Sequence, residues 1–428
     1  MDSSIVALII VGAMLVLFVT ELLPIATTSI LACLALAIFG VIPVGSAFSG
    51  FGNDIVFLIV GMVIVGNAVL ESGVAQVVSK KIISTVGTNE RIFMLALVPV
   101  TVGISLFLNN TATAGIVLPI VGSAVAASNG KLTKKNTFMM VGILAVVGGG
   151  LTIVGSTPQQ IALSHLERYG YDIGFWELSW TGLPIVILAV VFFQTIGLKL
   201  QKKVFNFPEI VDNEPKAEAE KEEAPKSVAK MWITVGILAF CITGFMTQAQ
   251  EWAFWSLGEM AMLGAVACVA TGCITQKRVF EKMDWTTVVI MGASFGIGRA
   301  ITDSGAGELI ATTMINILGD NLTPWLLCAA LALVTMVLTN FMSSTAAAAL
   351  LVPIAMSLAF ELGYDLKSIV LVVAISTNVG YATPVSTPPI TMTLPAGYRF
   401  KDYIKVGGLF NLMVYVLLIL LFPLVLDI

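Results

Sequence analysis

Apolar residues run almost unbroken over 4–20, 25–42, 54–72, 137–154, 180–199, 231–247, 258–275, 285–302, 368–383 and 404–426. Each run approaches the roughly 20 residues a helix needs to cross a bilayer, and polar or charged stretches separate them. The pattern predicts an all-α polytopic membrane protein. Two further stretches, 92–128 and 323–360, each read as a pair of apolar helices joined by a small polar tip.

Those tips mark an internal repeat. At an offset of 234, Asn109 to Ile120 (NNTATAGIVLPI) lies on Ser343 to Ile354 (SSTAAAALLVPI). Smaller matches support it: Glu71-Ser72-Gly73 with Asp303-Ser304-Gly305, and Gly155-Ser156-Thr157-Pro158 with Val385-Ser386-Thr387-Pro388. The chain therefore divides into a first repeat (1–199, hairpin 92–128, broken helix 137–166), a linker (200–230) and a second repeat (231–428, hairpin 323–360, broken helix 368–396).

Charge sets the expected orientation. If each hairpin re-enters, every repeat crosses five times, one span being broken, and the odd count inverts the second repeat relative to the first. Of 22 Lys and Arg, all but Arg168, Arg299 and Lys367 then fall on one side. The positive-inside rule assigns that side to the cytoplasm and both termini to the exterior. The N-terminal run lacks a basic leader and a small-residue cleavage site, and so reads as a retained first span. Stretch 74–86 should lie along the cytoplasmic interface, bracing a moving part or merely connecting spans. The Glu/Lys/Pro/Ala-rich linker is a solvated spacer or a regulatory segment.

Composition agrees: 57% of the residues are hydrophobic and 11% charged, against about 25% charged in a soluble domain. No basic stripe suggests nucleic acid. Cys33, Cys241, Cys268, Cys273 and Cys328 sit singly in apolar runs, which indicates neither disulfides nor a metal centre. GxxxxGK[ST] is absent, and nothing pairs a nucleophile with a base; the chain is not read as an ATP-driven pump or an enzyme.

Candidate chemistry gathers at the tips and breaks. Ser105, Asn109, Asn110 and Thr111, with Thr339, Ser343, Ser344 and Thr345, are either helix caps and small packing residues, or a ligand site between repeats. A helix start offers N–H groups and the positive end of its dipole to an oxyanion. Oxygens at the same tips suit Na⁺. The breaks at Gly155–Gln159 and 385–389 are plain proline kinks, or places where freed carbonyls and new helix starts line the site. His165 is an interfacial residue or a proton relay, and Glu21 a helix-end carboxylate or an intramembrane acid. Glu71 and Asp303 flank span ends, and Gly148-Gly149-Gly150 permits close packing.

At Thr20-Glu21-Leu22-Leu23-Pro24, Phe51-Gly52-Asn53, both tips and Thr387-Pro388-Pro389, the chain resembles the divalent anion:sodium symporter family. The resemblance implies elevator-type scaffold and transport domains in a homodimer. It implies Na⁺ as coupling ion, held in one site by Ser105, Asn109, Asn110 and Gly155 and in another by Thr339, Ser344 and Ser386. It also implies a substrate bound by Asn110, Thr111, Ser344, Thr345, Pro158 and Pro388. The sequence departs from the family's Ser-Asn-Thr triplets: Asn109 replaces serine at the first tip and Ser344 replaces asparagine at the second, and Gln159 and Ile390 stand where many members carry asparagine. The expected function is Na⁺ symport of a small divalent anion, a C4 dicarboxylate such as succinate, in an inner membrane. A Na⁺-independent exchanger, a carrier of sulfate or another oxyanion, an anion pore and a subunit of a larger complex are the alternatives.

Overall fold

The computed structural model describes all residues except 1, 21, 75–76, 78–80, 82–88, 129, 209–226, 248–254, 319–322, 385 and 427–428. Glu21, Val385, most of 74–86 and the charged heart of the linker lie outside the described residues. Among the described residues all regular structure is helical.

The first repeat holds α1 (Ser3–Thr20), α2 (Ile25–Ile38), α3 (Val44–Ala47), α4 (Asp54–Ser72), α5 (Glu90–Ser105), α6 (Asn110–Ala127), α7 (Lys134–Gly149), α8 (Thr157–Glu167), α9 (Ser179–Gln194) and α10 (Ile196–Val204). The second holds α11 (Val228–Thr247), α12 (Leu257–Ala270), α13 (Gln276–Lys282), α14 (Trp285–Asp303), α15 (Ala306–Leu318), α16 (Pro324–Thr339), α17 (Ser344–Leu362), α18 (Leu366–Thr377), α19 (Pro388–Thr391) and α20 (Phe400–Val425). Local chemistry sets many of the boundaries. Asn53, Asn89, Asp284 and Asp365 cap α4, α5, α14 and α18 by accepting from the first free N–H groups, and Ser256 with Glu259 forms a capping box at α12. The matched glycines Gly73 and Gly305 come after α4 and α14 with φ of 78° and 77°, a left-handed turn that a side chain would strain.

Packing crosses between the repeats in two places. In one body α4 lies along α12, while their counterparts α14 and α2 pair in the same way. In the other, α7 takes the hairpin α5–α6 and α18 takes the hairpin α16–α17. The segment after each break then crosses over: α8 packs on α17 and α18, and α19 packs on α6 and α7. We call the first body the scaffold and the second the core.

Burial separates the helices that face lipid from those that do not. Along α7 every residue from Asn136 to Gly149 is buried, as for a helix enclosed by others. By contrast, Ile5, Ile9 and Val16 of α1, Trp232 and Phe240 of α11, and Leu412, Val416, Leu420 and Leu424 of α20 are exposed apolar side chains. These faces suit acyl chains. Among the described residues α1, α4, α11, α17 and α20 are each long and apolar enough to cross a bilayer, and α9 with α10, bent by 51°, makes a sixth. The sequence suggested ten such runs. Several are shorter as helices because Gly, Pro and polar residues interrupt them, and α17 at 19 residues shows that a hairpin arm need not be short. The second break also differs from expectation: α19 is only four residues long, succeeded by a 3₁₀ turn at Leu394–Ala396, where a full half-helix was expected.

Candidate functional site

Both hairpin tips and both breaks meet at one cavity of about 130 Å³. Of the candidate residues, Asn109, Asn110, Thr111, Gly155, Pro158, Ser344, Thr345 and Pro388 line it. Ser105, Thr339 and Ser386 do not; they are wholly buried behind the lining. About 30 Å³ is one water's share of liquid volume, so the space corresponds to roughly four waters, the scale of a small polar solute.

The two tips begin helices in the same way. Asn109 Oδ1 accepts from Ala112 N at 2.7 Å, and Ser343 Oγ accepts from Ala346 N at 3.2 Å. Both readings of the tips thus hold together: the outer residue caps, and the next two face the cavity. The hydroxyls of Thr111 and Thr345 make no hydrogen bond among the described residues, which leaves them to a ligand.

Behind the first tip lies a cluster of oxygens. Ser105 Oγ donates to Ala145 O at 2.5 Å. With its amide nitrogen turned inward, Asn110 donates to Ala145 O (3.0 Å), Gly155 O (3.1 Å) and Ser105 Oγ (3.2 Å). With the oxygen inward it joins three other oxygens, and the network rather than the amide's shape selects the orientation. A spot ringed by oxygens suits either an N–H donor or a hard cation such as Na⁺. The approach is close: a Cβ on Gly149 would stand 1.9 Å from Asn110 Oδ1 and 2.6 Å from Gly155 O. Close packing at this glycine run is thereby also what seats the tip.

The second tip is built differently. Ser344 meets its break through the backbone, its N–H donating to Ser386 O at 3.3 Å. Thr339 Oγ1 donates to Thr377 O at 2.9 Å, and Ser386 Oγ donates to the carbonyls of Gly380 and Thr383. No side-chain amide reaches in where Asn110 does on the other side, because serine is too short.

The breaks supply two more helix starts. Ser156 and Thr387 hold the capping positions of α8 and α19, yet neither side chain caps. Ser156 Oγ instead donates to Asn378 Oδ1 at 2.6 Å, tying the first break to the end of α18, and Thr387 Oγ1 is buried without a partner. Thr152 braces the first break, donating to Leu106 O at 2.7 Å and accepting from Gly155 N at 3.1 Å, while Gln159 and Gln160 donate to Gly150 O and Val154 O. The first turns of α6, α8, α17 and α19 all reach the cavity, and none of its lining residues is basic. The starts of α6, α8 and α17 keep free N–H groups, whereas α19 offers none, because Pro388 and Pro389 have no N–H and those of Ile390 and Thr391 donate to Thr387 O. With no basic side chain in the lining, the three open starts invite an anion.

The sequence reading missed several members. Asn378 ends the polar triplet Ser376-Thr377-Asn378 inside an apolar run, a signal that could have flagged it. Asp284 faces the cavity from the scaffold while capping α14, its carboxylate accepting from Thr287 N (3.1 Å) and Thr287 Oγ1 (2.5 Å); nothing local distinguishes it from any other helix cap. His165, read as interfacial or as a proton relay, is buried at 2% exposure and stacks on Phe295 with ring centroids 4.9 Å apart. Asp303 ends α14 as expected and pairs with Arg299 at 2.9 Å.

A Haemophilus influenzae protein described as an uncharacterized transporter is 28% identical over 94% of this chain and 88% of its own length. The sodium-dependent dicarboxylate transporter SdcS of Staphylococcus saprophyticus is 24% identical over 94% of this chain and 82% of its own. The crystal structure of the Alcanivorax borkumensis YdaH transporter superposes with a TM-score of 0.58 at 13% identity, covering 90% of this chain and 88% of that one, which shows a shared transporter fold. An integral, multi-pass membrane transporter, not an enzyme, fits these relatives and the apolar helices together. Residues 15–372 match the model of the citrate transporter family, and the chain belongs to that family.

Proposed function

We propose that the protein imports a C4 dicarboxylate such as succinate together with Na⁺, by movement of the core against the scaffold. The observation that carries this reading is the meeting of three open helix starts, those of α6, α8 and α17, at one cavity lined by hydroxyls and an amide and by no basic side chain. One carboxylate would sit at the starts of α6 and α8, with Asn110, Thr111 and Pro158. The other would sit at the start of α17, with Ser344 and Thr345, against the Pro388 turn. Na⁺ would be a co-substrate at the oxygens of Ser105, Asn110, Ala145 and Gly155, with Asn109 occupied as a cap. Cation binding there orders the tip, so the anion's affinity rises with bound Na⁺ and the reverse.

Asn67, near the end of α4, and Asp284, at the start of α14, line the cavity from helix ends that the charge pattern assigns to the cytoplasm. The conformation is accordingly taken as inward-facing. The protein acts in the cytoplasmic membrane as a homodimer with both termini outside, an arrangement that rests on the charge pattern and the family resemblance.

A second reading has its own support. Thr339 and Ser386 spend their hydroxyls on the carbonyls of Thr377, Gly380 and Thr383, and Ser344 its N–H on Ser386 O, so the second cation site is weak, and exchange without Na⁺ is the competing mechanism. Citrate, in the family's name, is the competing substrate. The test is uptake of labelled succinate into proteoliposomes, with an inward Na⁺ gradient or with choline in its place, and with citrate as competitor. Uptake that requires Na⁺ supports symport; uptake driven by internal succinate without Na⁺ replaces it with exchange.

A further inference from the structure

A second cavity, of about 200 Å³, lies between the core and the scaffold, well away from the residues of the first. His165, Arg168 and Tyr169 line it from α8 and the turn after it, Arg299 and Asp303 from α14, and Pro353 from α17. On the side of the membrane to which the sequence assigns only Arg168, Arg299 and Lys367, two of those three cations therefore share one cavity. The third is occupied elsewhere, Lys367 Nζ pairing with Glu177 at 2.7 Å.

One ordinary explanation covers part of this. Both α8 and α14 end here, and cationic side chains complement the negative ends of helix dipoles. That account leaves His165 unexplained. Its ring is buried, yet Nε2 has no hydrogen-bond partner, and buried polar atoms without partners are uncommon. The donors also outnumber the acceptors. Arg299 Nε is satisfied by Asp303 at 2.9 Å, while the guanidinium of Arg168 lies 5.6 Å over the face of Phe295. A guanidinium held over an aromatic face by cation–π attraction keeps N–H groups available for planar oxyanions.

We propose that this cavity is a second anion site, which takes a small carboxylate or inorganic oxyanion at Arg168, Arg299 and His165. Since its walls belong to α8 of the core and α14 of the scaffold, an occupant bridges the two bodies. The site does not depend on what the first cavity carries.

The chain's single histidine makes the test local. Full-length protein labelled with ¹⁵N only at histidine, in nanodiscs of zwitterionic lipid, gives one imidazole whose shift is monitored as succinate or sulfate is added against chloride of equal ionic strength. A saturable shift is expected in the wild type, retained in Thr345→Ala, with the midpoint raised roughly tenfold in Arg168→Gln. Arg168 is exposed at the end of α8, so this variant folds. A midpoint raised about tenfold in Thr345→Ala but unchanged in Arg168→Gln would trace the response to the first cavity and overturn the proposal. So would an equal response to chloride, or a shift seen only when phosphatidylglycerol replaces the zwitterionic lipid, since the occupant would then be a headgroup.

Discussion

Asn110 concentrates the chemistry of the first tip in one side chain. Replacing it with alanine takes the amide donor from Gly155 O and leaves Ala145 O only Ser105 Oγ of its two side-chain donors, and a lost bond of this kind costs about 1–3 kcal/mol. Asn110→Ala should therefore lower succinate uptake at least about tenfold and also lower the thermal midpoint in detergent. Thr345→Ala removes a hydroxyl that holds nothing internal; it should raise the half-saturating anion concentration about tenfold and leave the thermal midpoint unchanged. Asp284→Asn keeps a good helix cap while removing a like charge from the anion's cavity. It should lower the half-saturating concentration by roughly threefold to tenfold, and an unchanged value would show that the carboxylate is screened from the site. At this scale much was legible in the sequence. Asn110, Thr111, Ser344 and Thr345 stood out because a polar triplet opening an apolar helix, repeated at a fixed offset, has few physical explanations. Asp284 and the Ala145 carbonyl did not, since an ordinary cap and a backbone oxygen acquire meaning only from what packs against them.

Among the elements, the breaks rather than the helices decide the site's shape. Ser156 gives up its capping role to reach Asn378, so the start of α8 stays open to the cavity while the first break is fastened to the other repeat. A comparable fastening lies at the base of the core, where Tyr398 OH donates toward the carbonyls of Lys134 and Lys135 and accepts from Met139 N. Tyr398→Phe should cost about 1–3 kcal/mol of stability, read as a lower thermal midpoint, with the affinity for anion intact because no cavity residue is touched. The sequence located both breaks from their prolines but could not give the length of the helix beyond each one. Thr157-Pro158-Gln159-Gln160 continues into an apolar, helix-compatible stretch, whereas Pro388-Pro389 runs into Thr391, Thr393 and Pro395, which end α19 after a single turn. Hairpin arms were likewise recognised, but not their span-like lengths, because packing inside the core removes the usual reason for an arm to be short.

For the molecule as a whole, the repeat was readable from matched motifs, whereas scaffold and transport domains were implied only by the family resemblance. Which helix of one repeat lies on which helix of the other depends on long-range packing such as α4 on α12 and α2 on α14, and no local pattern encodes it. The charged linker offers a direct test of that division. Cutting the gene within 209–226 should yield two polypeptides that restore succinate uptake when made together and give none when made singly; uptake by either alone would contradict a site shared between the halves.

The crossing of α8 onto α17 and α18, and of α19 onto α6 and α7, also bears on how the protein is made. A ribosome that has finished the first repeat has released α8 and the hairpin α5–α6 into the membrane, with their partners still unsynthesised. Until Asn378 emerges at the end of α18, late in translation, Ser156 has no partner and must wait in or beside the bilayer, shielded by lipid headgroups, water or an insertion factor. The nascent first half is thus the stage at which quality-control proteases have the most to recognise, and slow translation of the second half should cost more yield than slow translation of the first.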